Sequence, residues 1–222
     1  LKRAFLVLIL TCLQLAIRAQ SADLPIKEWK GNGTAPFIFY ITGDGGFNDF
    51  STELSKSLNL SGSPLTALSA KSYFWDKKTP LGTATDISLY LRQQFAKRKD
   101  QRLVLIGYSF GADVMPFVVN RLPDDLRKKL VSVILLSPST STDFEVHWAD
   151  LWGAKRKRNM DVVAEINRMQ VAKFITLFGE NEDDFPVNQI AVKNHTNISM
   201  PGGHHFGGNA DEVAKVLLAY CK

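Results

Sequence analysis

The sequence predicts an α/β domain: a mostly parallel sheet in a three-layer arrangement, with helices on both faces. Three observations carry this. From about Pro36 onward, short apolar runs alternate with segments whose apolar residues recur at helical spacing, the pattern of parallel strands joined by helical crossovers. One run, Leu103-Val104-Leu105-Ile106, ends in Gly107-Tyr108-Ser109-Phe110-Gly111 and passes at once into helical pattern. A Gly-x-Ser-x-Gly in that setting is a strand turning sharply into a helix, with one serine hydroxyl lifted to the top of the sheet. Finally, 222 residues with 45% hydrophobic and 22% charged content suffice for one globular domain with a sizeable core.

The elements follow in order. Residues 37–41 (Phe-Ile-Phe-Tyr-Ile) read as a buried strand, 50–60 as a helix and 64–68 as a second strand. Residues 86–97 carry Ile87, Leu89, Leu91 and Phe95 at helical spacing, 103–106 is the strand feeding Ser109, and 112–121 the helix after it. A short helix over 123–129 precedes a buried strand at 131–136. Later strands fall at 173–178 and 196–200, and a helix over 211–220 closes the pattern. Residues 139–160 fit the alternation poorly and read as an insertion over the top of the sheet, carrying Phe144, Glu145, His147 and Trp148. Ligands of such sheets bind beyond the carboxyl ends of the strands, and Ser109 stands at such an end.

The N-terminus has a basic start (Lys2, Arg3), an apolar stretch over 5–15 and small residues over 19–22. This is the outline of a secretory signal peptide over 1–22, too short in its apolar part for a membrane span. A single domain over 23–222 would follow. Leu10-Thr11-Cys12 is a poor lipoprotein signal, because threonine stands before the cysteine. Processing would leave Cys221 alone, so no intramolecular disulfide could form, which is compatible with a bacterial periplasm.

The net charge of +5 is partly clustered, at Lys97-Arg98-Lys99 and at Lys155-Arg156-Lys157-Arg158. A nucleic-acid partner calls for an aromatic-interleaved basic face or a known module, and the sequence has neither. These clusters read as solvated loops, with attraction to an anionic membrane surface as the functional alternative.

Serine is a weak nucleophile until a base takes its proton, and the base must be oriented by a third group. Around this type of elbow the chain order is Ser, then Asp or Glu, then His. After the strand at 173–178 comes Gly179-Glu180-Asn181-Glu182-Asp183-Asp184, and after the strand ending at Met200 comes Pro201-Gly202-Gly203-His204-His205-Phe206. The expected base is His205, directly before the aromatic, with His204 as its alternative. The expected acid is Asp184, with Asp183 and Glu182 beside it. Adjacent histidines do not readily serve one metal ion, and no Cys/His cluster accompanies them. Thr42-Gly43-Asp44-Gly45-Gly46-Phe47 follows the first buried strand, where this architecture supplies an oxyanion donor. The amide of Asp44 or Gly45 would pair with that of Phe110, at the N-terminus of the helix. The glycine run lacks the Gly-Lys-Ser/Thr ending of a P-loop.

Several longer motifs resemble one family. They are Thr-Gly-Asp-Gly-Gly-Phe (42–47), Ser-Tyr-Phe-Trp (72–75) with Lys78-Thr79-Pro80, Gly-Tyr-Ser-Phe-Gly-Ala-Asp-Val (107–114), Asn120-Arg121-Leu122-Pro123 and Pro-Gly-Gly-His-His-Phe (201–206). Together they are similar to the bacterial virulence proteins VirJ and AcvB, in the single-domain form, from about Pro36 to the C-terminus. The resemblance implies an α/β-hydrolase fold, export to the periplasm, no cofactor, and esterase action on aminoacylated phosphatidylglycerol, chiefly the lysyl form. In some members it implies a link to type IV secretion components. It places serine, acid and histidine on Ser109, the Asp183/Asp184 region and His205. The sequence departs from the family near Pro186, where a cysteine often stands, and this leaves the acid open.

A cationic aminoacyl group calls for a carboxylate or an aromatic face near the serine. The candidates are Asp44, Asp113 and Glu145, with Tyr73, Phe74 and Trp75; Asp113 could instead brace the helix, and the aromatics could be core. Two rival functions remain at this level: a serine esterase for another lipid or acyl ester, and a non-catalytic periplasmic chaperone or secretion adaptor.

Overall fold

The computed structural model describes residues 24–32, 34–98, 100–147 and 158–222. The expected signal peptide, Trp148, Lys99 and the basic residues 155–157 lie outside the described residues. Nine strands occur among the described residues: β1 (Ile26–Trp29), β2 (Phe37–Ile41), β3 (Leu65–Leu68), β4 (Leu103–Tyr108), β5 (Leu130–Leu136), β6 (Ser141–Thr142), β7 (Met160–Asp161), β8 (Phe174–Gly179) and β9 (His195–Met200). Seven form one sheet in the order β1-β3-β2-β4-β5-β8-β9, parallel except for the edge pair β1–β3. Strands β6 and β7 pair antiparallel with each other.

The helices are α1 (Asp49–Asn59), α2 (Ala70–Tyr73), α3 (Pro80–Ala96), α4 (Phe110–Val119), α5 (Asp124–Arg127), α6 (Val162–Ile166) and α7 (Ala210–Leu218). Because side chains alternate along a strand, each buried strand feeds two cores. Ile38, Tyr40, Val104, Ile106, Ile134 and Leu177 pack with Leu54, Leu58, Val213 and Leu217, from the paired helices α1 and α7. Phe37, Phe39, Ile41, Leu105, Val133 and Phe174 pack with Ile87, Leu91, Met115 and Val118, from α3 and α4, which α6 joins. The result is the predicted three-layer α/β architecture, with continuous apolar runs in the strands buried on both faces.

The structure differs from the sequence reading at several places, among them the short helices α2 and α6 and the strands β6 and β7, which the apolar pattern does not mark. Strand β1 was not expected; it is a half-exposed edge whose Lys27 and Glu28 interrupt any apolar run. Helix α3 starts at Pro80 rather than 86, since the Thr79 hydroxyl caps it by accepting the Gly82 amide (3.1 Å) with proline in the first turn. Phe144, expected on an insertion over the sheet, is fully buried edge-on against Phe74 and Phe117.

The register decides where function can sit. Ile41 pairs with both Leu68 and Gly107, Tyr108 with Leu136, Leu136 with Leu177, and Gly179 with Met200. The carboxyl ends of β2, β3, β4, β5, β8 and β9 are therefore level. The segments that leave them share one end of the sheet.

Candidate active site

Ser109 leaves β4 in a left-handed conformation, φ 51° and ψ −119°, which costs a non-glycine residue on the order of 1–3 kcal/mol. The turn is held by the Ser109 amide donating to the Leu136 carbonyl (2.8 Å) and by the Ser109 carbonyl accepting the amides of Ala112 (2.8 Å) and Asp113 (3.0 Å). The two glycines of the motif have a steric reason. A Cβ on Gly107 would lie 2.4 Å from the Gly111 carbonyl oxygen, and one on Gly111 would lie 2.2 Å from that of Ile41.

The serine hydroxyl meets His204, not His205. Ser109 Oγ lies 2.8 Å from His204 Nε2, and His204 Nδ1 lies 2.6 Å from Glu182 Oε1. Glu182 Oε2 accepts the Ser137 hydroxyl (2.6 Å) and the Gly179 amide (2.8 Å). Burial alone would raise the Glu182 pKa, but hydrogen bonds from His204, Ser137 and the Gly179 amide outweigh it and hold the carboxyl below its ordinary value. An ionised carboxylate only accepts. His204 Nδ1 therefore carries the proton, and the lone pair on Nε2 accepts the Ser109 hydroxyl.

This depressed pKa has a consequence for stability. Folding gains from Glu182 above its unfolded pKa, and the gain is lost as pH falls through the lowered folded value. Glu182→Gln has no such proton to take up. Thermal melts across the acid range should show a steeper fall for the wild type than for the variant, and parallel profiles would refute the linkage.

Two expectations are corrected by this geometry. His205 is exposed and borders the cavity, but its Nδ1 lies 2.6 Å from the hydroxyl of Tyr108 and not on Ser109. The same hydroxyl donates to the His204 carbonyl at 3.1 Å, so its single proton is used there and the His205 Nδ1–H is the donor to it. The reason is the turn after β9. Phe206 is buried against Phe50 and Tyr108 and its amide bonds back to the Gly203 carbonyl (2.8 Å), and within this turn the two histidines take different partners, His204 the Ser109 hydroxyl and His205 that of Tyr108. Asp184 and Asp183 are exposed. Asp184 borders the cavity, while neither takes the place of Glu182, whose amide turns back onto the Gly179 carbonyl (3.0 Å) and carries its carboxylate with it.

Tyr108 and Ser137 belong to the site although no role was read for them from sequence. Tyr108 is buried, and its phenol pKa is raised by that burial and by the nearby charges of Asp44 and Glu182, so it stays a neutral donor. Ser137 has φ 48° and braces the far oxygen of Glu182. The available signal for Ser137 was its position directly after a buried strand.

These groups open onto a cavity of about 890 Å³. Gly43, Asp44 and Gly45 line it with Phe110, and a Cβ on Gly43 would stand 3.4 Å from Ser109 Cβ, so the glycine loop lies against the serine. Among the described residues the wall carries six carboxylates, Asp44, Asp113, Asp143, Glu145, Glu182 and Asp184, against one arginine, Arg158. Asp113 accepts the Ser139 amide at 2.5 Å, bracing the segment after β5 to the helix after Ser109. Asp143 is paired with His147 (2.8 Å) and Arg158 (3.5 Å). The aromatic candidates are not in the cavity wall. Tyr73 and Phe74 are buried, Tyr73 bonded to Asp86 (2.6 Å) and Phe74 packed on Phe110, while Trp75 is exposed.

A family model described as bacterial virulence protein (VirJ) matches residues 36–222. A search of curated protein sequences gave no match. Among solved structures, a lipase-esterase related protein from Clostridium acetobutylicum is similar with a TM-score of 0.64 at 17% identity, over 90% of this chain and 100% of that one. MenH from S. aureus gives 0.63 at 13% identity, over 90% and 98%. Est1E from Butyrivibrio proteoclasticus gives 0.61 at 13% identity, over 90% and 96%. At such identities the likeness is one of fold, the α/β-hydrolase fold.

Proposed function

Because this chain belongs to the VirJ family of bacterial virulence proteins, matched over residues 36–222, we propose that it is a serine hydrolase acting on the aminoacyl ester of aminoacylated phosphatidylglycerol, such as the lysyl form, in the periplasm. The observation that carries the hydrolase reading is the unbroken relay from Ser109 Oγ through His204 to Glu182, at 2.8 and 2.6 Å. Ser109 attacks the ester carbonyl while His204 Nε2 takes its proton. The tetrahedral oxyanion is held by the Phe110 amide together with an amide of the 43–45 loop, donors of a kind often worth about 3 kcal/mol in the transition state. Collapse releases the lipid alcohol, which receives the proton from His204. Water, activated by the same imidazole, then frees the amino acid from Ser109.

The acidic wall supports a cationic acyl group. Asp44 stands on the donor loop and Glu145 on the segment after β6, both lining the cavity; they are the carboxylates proposed to face a lysyl ammonium. Asp113 is kept for bracing through its bond to Ser139.

Ser109→Ala is expected to lower lysine release from lysyl-phosphatidylglycerol by about 10⁴-fold or more with an unchanged melting temperature, and a fluorophosphonate should label Ser109 in the wild type. Wild-type release by the variant would sink the assignment. Hydrolysis of plain acyl esters with none of aminoacyl lipids would move the substrate to another ester.

A further inference from the structure

Among the described residues three large apolar side chains are strongly exposed, Leu60, Trp75 and Leu81, at 86%, 46% and 67%. Two of them lie in one stretch, residues 70–81, which runs from just after β3 through α2 into the first turn of α3. That stretch leaves the carboxyl end of β3, level with the end of β4 that carries Ser109. It borders the cavity wall through backbone bonds: the Lys78 amide donates to the Phe144 carbonyl and the Val146 amide to the Phe74 carbonyl, both at 2.9 Å, on either side of Glu145. It also borders the donor loop, since a Cβ on Gly46 would stand 3.0 Å from Lys71 Cβ.

Its charge is the reverse of the cavity's. Lys71, Lys77 and Lys78 occur there against Asp76 alone. A mouth lined with carboxylates is repelled by an anionic bilayer, so a face that must approach one needs a basic border. Tryptophan with flanking lysines is the composition that settles at a membrane–water interface. The basic pair Lys97-Arg98 is not placed for this. It follows α3 at the opposite end of the sheet, with the Arg98 guanidinium 5.6 Å from the ring of Phe37 at the start of β2.

We propose that the 70–81 stretch is a membrane-docking face, with Trp75 and Leu81 entering the interface of a phosphatidylglycerol-rich bilayer and Lys71 and Lys77 meeting its anionic headgroups. The proposal rests on the lipid-hydrolase reading and gives it a direction: the cavity opens toward the bilayer, beside the inserted residues.

Sedimentation with phosphatidylglycerol vesicles at low salt tests it, with phosphatidylcholine vesicles as the neutral comparison and melting curves as the check on folding. The wild type should bind the anionic vesicles preferentially. Trp75→Ser/Leu81→Ser and, separately, Lys71→Gln/Lys77→Gln should each weaken binding about tenfold or more, while Lys97→Gln/Arg98→Gln should bind as the wild type does. Wild-type binding by both of the first pairs, loss on changing Lys97 and Arg98, or no preference for anionic vesicles overturns the proposal. Ser109→Ala separates the two ideas. Its unaltered vesicle binding supports docking whether or not the wild type cleaves the lipid.

Discussion

His204→Ala is expected to lower kcat for ester hydrolysis by about 10⁴-fold or more, and His205→Ala by less than tenfold. The sequence offers two adjacent histidines, but only one is bonded to both Ser109 Oγ and a carboxylate. In the proposed mechanism, losing His204 removes the proton acceptor and leaves the oxyanion donors and the cavity, which sustain only residual catalysis. Losing His205 removes one hydrogen bond to Tyr108, worth about 1 kcal/mol net, which is under a factor of ten. Steady-state kinetics on the two variants and the wild type decide it. Equal losses, or the larger loss at position 205, would refute the relay.

What sequence could tell about this site divides along a physical line. The elbow was legible because Gly107 and Gly111 answer to contacts that no side chain can share, so residue type itself encodes the geometry. The fold was legible because strands buried on both faces are continuously apolar. The histidine and the acid were not fixed in the same way. His204 and His205 are chemically identical, and the choice between them is made by a backbone turn that Phe206 pins into the core. Likewise Glu182, Asp183 and Asp184 all sit within reach of a strand end. What selects Glu182 is a turn closed on Gly179, with that amide donating 2.8 Å back to its carboxylate, and a side chain long enough to touch Ser137 and His204 together. A run of carboxylates in sequence does not show which one folds back.

The aromatic stretch at 73–75 shows a different limit. Composition alone allowed an aromatic wall for a cationic group. In the fold Tyr73 and Phe74 go into the core, where Phe74 supports Phe110, and only Trp75 faces outward. The tendency of aromatics to fill cores took two of the three, and the exposed third gained a meaning the sequence could not give it. Meanwhile β1 escaped notice because an antiparallel edge strand, wet on one side, needs no apolar run.

Gly111→Ala is expected to destabilise the protein by about 3 kcal/mol or more, a fall in Tm of roughly 6–12 °C for a domain of this size. The added methyl would stand 2.2 Å from the Ile41 carbonyl oxygen and 2.5 Å from that of Thr42. Both are backbone atoms, one at the end of a central strand and the other at the start of the donor loop, so neither can swing aside as a flexible side chain would. Relief requires the first turn of α4 to move away from β2, and that shift carries the Phe110 amide away from the 43–45 loop. Activity should therefore fall further than the loss of folded protein accounts for. Gly203→Ala is the comparison, because a Cβ there meets nothing within 4 Å and should change stability by no more than about 0.5 kcal/mol. Calorimetry on both variants, with initial rates measured well below each Tm, separates packing from catalysis. If Gly111→Ala melts with the wild type, the close approach of helix and strand that sets the serine in place is not what holds it there.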